Sequence, residues 1–96
     1  MNYKIIIIPE AKADYKKSLL WYKVINSNLA RKFNDSFKES LTRLKNDPLL
    51  FQIKYDNTRI IFFKIFPYAI HYSIYQDKIV IKSIFHTSRD SDLNLF

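Results

Sequence analysis

The hydrophobic positions change their period along the chain. Tyr3 to Ile8 is a short, β-branched apolar run closed by Pro9, and it predicts a buried strand. From Pro9 the spacing becomes helical, with Ala11, Tyr15, Leu19 and Tyr22 following at four, four and three residues on one face. Pro9 and Glu10 suit the first turn, where proline gives up no N–H that the helix needs. Asn26-Ser27-Asn28 then breaks the pattern and offers capping side chains. Leu29, Phe33, Phe37, Leu41 and Leu44 recur at four, four, four and three, the clearest periodicity in the chain. This second helix must end near Asn46, because Asp47 precedes Pro48 and the proline ring pushes its predecessor out of the helical region. Two helices with so short a link predict an antiparallel hairpin.

After Phe51 the texture is that of strands. Phe51 to Tyr55, Arg59 to Phe66, Tyr68 to Tyr75 and Ile79 to His86 are rich in Ile, Phe, Tyr and Val. Asp56-Asn57 and Gln76-Asp77-Lys78 supply the turns, so the last two strands form a tight hairpin. The expectation is an α+β fold filling a single domain, 1–96: an N-terminal strand and an antiparallel helical hairpin packed on one face of an antiparallel β-sheet meander. The other sheet face stays open, and function is expected there. The tail turns polar at Thr87 and ends Leu93, Leu95, Phe96; Ser91–Phe96 reads either as a short packed turn or as a loose end.

Composition narrows the chemistry mainly by what is missing. An apolar content of 48% with 17% aromatics fits a globular domain rather than a disordered segment. There is no glycine, which excludes phosphate-cradling loops, dinucleotide-binding turns and the nucleophile elbow. There is no cysteine either, hence no disulfide, thiolate nucleophile or Cys-ligated zinc. No cofactor and no metal are expected. The run Ile5 to Ile8 is too short for a signal-peptide core, and Ile60 to Tyr75 is broken by Lys64, Pro67 and His71, so no membrane span is expected and the cytoplasm is the expected location. A net charge of +7 favours a polyanionic partner, whether nucleic acid, ribosome or acidic protein. Because twelve of the sixteen cations are lysines, a simple solubilising surface is the competing reading. Lys12, Lys16 and Lys23 fit it, lying off the core face of their helix.

Few residues can carry chemistry. His71 and His86 are the only histidines. With a three-residue loop His71 faces Ser83 and His86 falls on the other sheet face roughly 10 Å away; with a two-residue loop His71 faces Lys82 and His86 shares its face at about 13 Å. Either register excludes a shared metal. Each imidazole is a catalytic candidate or a hydrogen-bonded structural group. Arg59 at a strand start and Arg89 just past the last strand can clamp phosphate or carboxylate, or pair with neighbouring carboxylates. Glu10 and Asp14 sit where negative charge complements a helix N-terminus, which favours structural roles. Most of the seven Tyr and eight Phe fall at core-periodic positions, so a base-stacking platform is the lesser reading. Trp21, one position off the core stripe, is a rim residue or a partner anchor.

Several local patterns occur together in a telling order: Ala11-x-x-Asp14-Tyr15, Leu29-Ala30-x-x-Phe33, Asp47-Pro48, Arg59, Phe66-Pro67-Tyr68-x-Ile70-x-Tyr72 and His86-x-x-Arg89. In order and spacing, from about Tyr3 to Asp90, they resemble the RelE/ParE toxins of type II toxin–antitoxin systems, although the usual proline and tryptophan after the arginine are replaced by Asp90-Ser91-Asp92-Leu93. The resemblance implies a toxin neutralised by a cognate antitoxin whose C-terminal segment wraps it, with operator DNA reached only through that antitoxin. It also implies one of two targets: RelE-like members cleave ribosome-bound messenger RNA, and ParE-like members inhibit DNA gyrase without cleaving RNA. Cleavage needs groups to activate the 2′-OH, stabilise the charged transition state and protonate the leaving oxygen. The family's nucleases take these largely from cations on the central strands and a following arginine. Arg89 matches the latter, but the aligned strand positions hold Ile60, Phe62 and Ala69. The ParE-like reading is therefore preferred, with Lys54, Arg59, His86 and Arg89 contacting the target. An RNA-cleaving reading needs Lys54, Arg59 or His86 to act with Arg89, and a third possibility is a non-toxic binding module of the same fold.

Overall fold

The computed structural model of the chain describes residues 2–88. Its elements run β1 (Lys4–Ile7), α1 (Pro9–Ile25), α2 (Ser27–Asn46), β2 (Ile53–Tyr55), β3 (Thr58–Phe62), β4 (Tyr68–Tyr75) and β5 (Lys78–His86). The strands form one five-stranded sheet in the order β1-β5-β4-β3-β2, and the helical hairpin packs on one face of it, as expected for the α+β class. The meander β2 to β5 is antiparallel, while β1 joins beside β5 in parallel, an arrangement the period-two pattern does not reveal. Among the described residues, no helix is long and apolar enough to cross a membrane.

Asn26 both stops α1 and starts α2. Its backbone N–H donates to the Tyr22 carbonyl, and its side-chain oxygen accepts from the Asn28 N–H at 2.7 Å. One short polar residue in extended backbone thus satisfies groups at two helix ends. Pro9 opens α1 as expected, and α2 ends at Asn46, before Asp47 and Pro48. With no glycine available, the turns place Asp56 (φ 39°), Asn57 (φ 56°) and Gln76 (φ 57°) in the left-handed region. Asp and Asn tolerate it through local hydrogen bonding, whereas Gln gains no such relief.

The core lies between the helices and the sheet. Phe33 is fully buried at its centre, with ring centroids 4.9 Å from Tyr68, 5.2 Å from Tyr22 and 5.5 Å from both Phe63 and Phe66. Leu44, Ile61, Ile70, Tyr72, Ile79 and Ile81 extend this layer along the sheet. The boundaries differ from the sequence expectation where packing overrides periodicity. Strand β3 stops at Phe62 rather than Phe66, and the chain turns so that Phe63 and Phe66 both join the core; the Phe63 N–H donates to the Tyr68 carbonyl and the Tyr68 N–H to that of Phe66. Only Ile53–Tyr55 of the segment from Phe51 pairs as β2. Strand β1 is half-exposed, not buried, because at the sheet edge only Ile5 and Ile7 pack against the core.

Candidate functional site

Strand register sorts the side chains of β3, β4 and β5 onto two faces. Tyr68, Ile70 and Tyr72 belong to the core beneath the helices, so Ala69, His71 and Ser73 take the open face by strand alternation. Ile60 pairs with His71, Phe62 with Ala69 and Phe85 with Ala69, which puts these three on the open face as well. Ile60, Phe62 and Phe85 thus share the open face, where Phe62 is 56% exposed, while Ala69 between Phe62 and Phe85 is fully buried.

A bulge supplies the charge this face does have. The β4–β5 turn has two residues, since Tyr75 pairs with Lys78, yet His71 pairs with Ser83, because the register shifts between His71 and Tyr72 and leaves Lys82 as the extra residue. The hairpin thus combines the shorter of the two expected loops with the pairing expected from the longer one. Such an insertion re-aims a side chain. The Lys82 Nζ donates to Thr58 Oγ1 and lies 5.6 Å from the centroid of the Tyr55 ring. Tyr55 reaches His71, with its hydroxyl and His71 Nδ1 sharing a hydrogen bond at 2.7 Å whose donor depends on the imidazole tautomer. Phe85 meets the same imidazole edge-on at 4.4 Å.

His71 is only 2% exposed. Burial, and secondarily the Lys82 charge, lower its pKa to about 4, so it is neutral near pH 7. Its Nε2 and the Ser73 hydroxyl are buried without a hydrogen-bond partner among the described residues. A neutral, sealed imidazole packs a second small core on the open face, and it is poorly placed to meet a substrate.

The other sequence candidates do not gather around this cluster. Arg59 is bound into the scaffold: its Nη1 donates to the carbonyls of Leu49 and Phe51 rather than to a carboxylate. Its cross-strand neighbour Tyr72 donates to the Pro48 carbonyl at 2.6 Å, so the two side chains jointly pin the α2–β2 connection. Burial raises the Tyr72 hydroxyl to about pKa 12. Lys54 is exposed, with its Nζ 3.3 Å from Gln52 Oε1. His86 pairs with Tyr68, opposite in face to His71; its ring meets Tyr68 edge-on at 5.1 Å and its Nδ1 accepts the Ser88 N–H. Arg89 and the tail Ser91–Phe96 lie outside the described residues. Among the described residues, no three His, Cys, Asp or Glu side chains group as metal ligands.

Asp14 proves architectural. Strand β1 pairs with β5 only as far as Ile81, and beyond it the Asp14 carboxylate accepts the Ile84 N–H at 3.2 Å. A carboxylate in the second turn of α1 thus covers a donor on the sheet edge. Sequence reading missed Lys82 and Tyr55 because their meeting depends on a bulge and on β2 folding back, and neither leaves a local pattern.

This geometry can be set beside known proteins. The sequence profile described as the ParE toxin of type II toxin–antitoxin system, parDE, matches residues 5–91. No curated protein sequence matches the chain. Among solved structures, the chain is similar to one from the chromosomal ParDE TA system of P. aeruginosa, with a TM-score of 0.66 at 13% identity, covering 88% of this chain and 95% of that one. That likeness concerns the fold, and the profile match spans nearly the whole sequence. The chain belongs to the ParE toxin family of type II toxin–antitoxin systems.

Proposed function

We propose that this protein is a toxin that stops growth by binding a protein target, DNA gyrase being the first candidate, and not by cutting RNA, and that a cognate antitoxin neutralises it. One observation supports the reading: Ile60, Phe62 and Ala69, the positions that the family resemblance would align with a nuclease's cations, share one sheet face with Phe85, and that face offers the exposed Phe62 ring instead of a cation there. Removing a single preorganised electrostatic group slows such chemistry by roughly 10²–10³, and here three aligned positions lack one. The sealed, neutral His71 supports the same conclusion. An exposed apolar side chain on a face that also carries Lys82 suits a protein contact that is steered by charge and held by burial. Lys54 and Arg89 remain candidate target contacts from the sequence, His86 lies on the opposite sheet face, and Arg59 acts chiefly by holding the Pro48–Phe51 segment in place.

The competing reading, a ribosome-dependent endonuclease, draws on Lys82, which the bulge delivers to this face. Controlled expression in bacteria separates the two when the 5′ ends of cellular messengers are mapped during growth arrest. Arrest with messenger ends unchanged is the expected result. Cleavage at a fixed codon position, lost on Lys82→Met, would replace this reading by the enzymatic one. Normal growth would leave a non-toxic member of the family.

A further inference from the structure

The helical hairpin holds nine Lys and Arg against four Asp and Glu, and among the described residues Arg43 alone of the nine is ion-paired, with Glu39. Lys12, Lys16, Leu19 and Lys23 stand at i, i+4, i+7 and i+11 of α1, and Ser27, Arg31, Asn34 and Lys38 have the same spacing in α2, so each set forms one stripe. The fold brings the two stripes together. Leu19, Lys23, Ser27, Arg31 and Asn34 line a groove of about 290 Å³ whose walls come from α1 and α2 alone. The Tyr15 hydroxyl donates to Asn34 Oδ1, which fixes the antiparallel register: Lys23 lies at the Arg31 end, and Lys12 and Lys38 lie about one turn beyond Tyr15 and Asn34. All five cations are exposed.

No carboxylate is among the residues lining this groove, so its facing rows of like charge repel one another and raise a positive potential that a polyanion relieves. From Lys12 to Lys23 the stripe spans about 16 Å at 1.5 Å per residue, a length over which one strand of a DNA duplex presents roughly five phosphates. The one aromatic ring lining the groove, Tyr15, is half-buried and hydrogen-bonded to Asn34, so unpaired bases find no exposed ring to stack on, which favours a duplex over a single strand. We propose that the outer groove of the helical hairpin binds backbone phosphates of duplex DNA, without sequence preference, through Lys12, Lys16, Lys23, Arg31 and Lys38. The proposal rests on the reading of DNA gyrase as the target, an enzyme that holds duplex DNA as it works. The hairpin covers one side of the sheet, so the open face stays free for the enzyme while the outer groove meets its DNA.

The probe is a short fluorescein-labelled DNA duplex of arbitrary sequence, titrated with the full chain while fluorescence anisotropy is read across a series of KCl concentrations. Saturable binding is expected, with affinity falling as salt rises at a log–log slope of about −4. The triple variant Lys23→Gln, Arg31→Gln, Lys38→Gln is expected to bind about tenfold or more weakly at low salt, with a slope near about −2. Lys4→Gln, Lys64→Gln, Lys78→Gln removes the same charge elsewhere and is expected to bind within about twofold of the wild type. All six positions are exposed, and a circular dichroism melt checks that each variant keeps its fold. No binding at low salt, equal weakening in both triple variants, tighter binding of the single strand than of the duplex, or polyglutamate bound as tightly as the duplex would each overturn the proposal. Gyrase inhibition is scored separately: inhibition without DNA binding rejects the groove and keeps the target reading, and groove-dependent DNA binding without inhibition does the reverse.

Discussion

His71 can be measured most cleanly at the scale of single residues. Its folded pKa of about 4 lies below the ordinary imidazole value of 6.5. Between those values the unfolded chain takes up a proton that the folded chain refuses, so this group lowers stability as pH falls from about 6.5 toward 4, by up to about 3 kcal/mol. Urea denaturation of the wild type and His71→Gln is expected to show a stability gap that narrows with acidification, and a gap constant across that range would remove His71 as its source. Tyr72→Phe leaves the Pro48 carbonyl without the donor now 2.6 Å away, and a loss of about 1–3 kcal/mol is expected in the same assay. Little of this was legible in the sequence. Arg59 was visible as a strand-start arginine, but its carbonyl partners come from a segment that only the folded chain brings near. In the sequence Lys82 stands only as a possible partner position for His71 and not as a site residue, because a bulge is a property of two paired strands, not of one.

Secondary-structure elements were far more legible, and unevenly so. Both helices follow from the spacing of their apolar residues, four-four-three from Ala11 to Tyr22 and four-four-four-three from Leu29 to Leu44, because each packs one face on the core with a fixed period. Their junction was legible too, through Asn26. Asn26→Ala removes the side-chain acceptor of the Asn28 N–H and is expected to lower stability by about 1 kcal/mol, whereas Asn26→Asp should preserve it; equal melting temperatures for all three proteins would contradict the capping role. The strand boundaries were less legible. Phe63 and Phe66 carry strand-like side chains yet sit in a turn, since both rings are needed around Phe33. The position of β1 was also hidden, because an Ile run states that it will be covered but not which strand it will join or in which direction.

For the whole molecule, the sequence disclosed the class and the family through ordered short patterns, and the structure adds the placement of surfaces. The open sheet face carries the exposed Phe62 ring and a sealed imidazole, and the helical hairpin carries exposed cations on both sides of its outer groove. A domain of this size has a thin core, so large uncovered apolar side chains are a burden that binding partners relieve. The central claim, that this ParE-family chain arrests growth by engaging a protein target rather than by cleaving RNA, is tested most directly with purified gyrase. DNA supercoiling is followed by gel as the chain is added, alongside a programmed-ribosome reaction in which the messenger is inspected. Loss of supercoiling with intact messenger is the expected result; unimpaired supercoiling together with codon-linked messenger cleavage would contradict it.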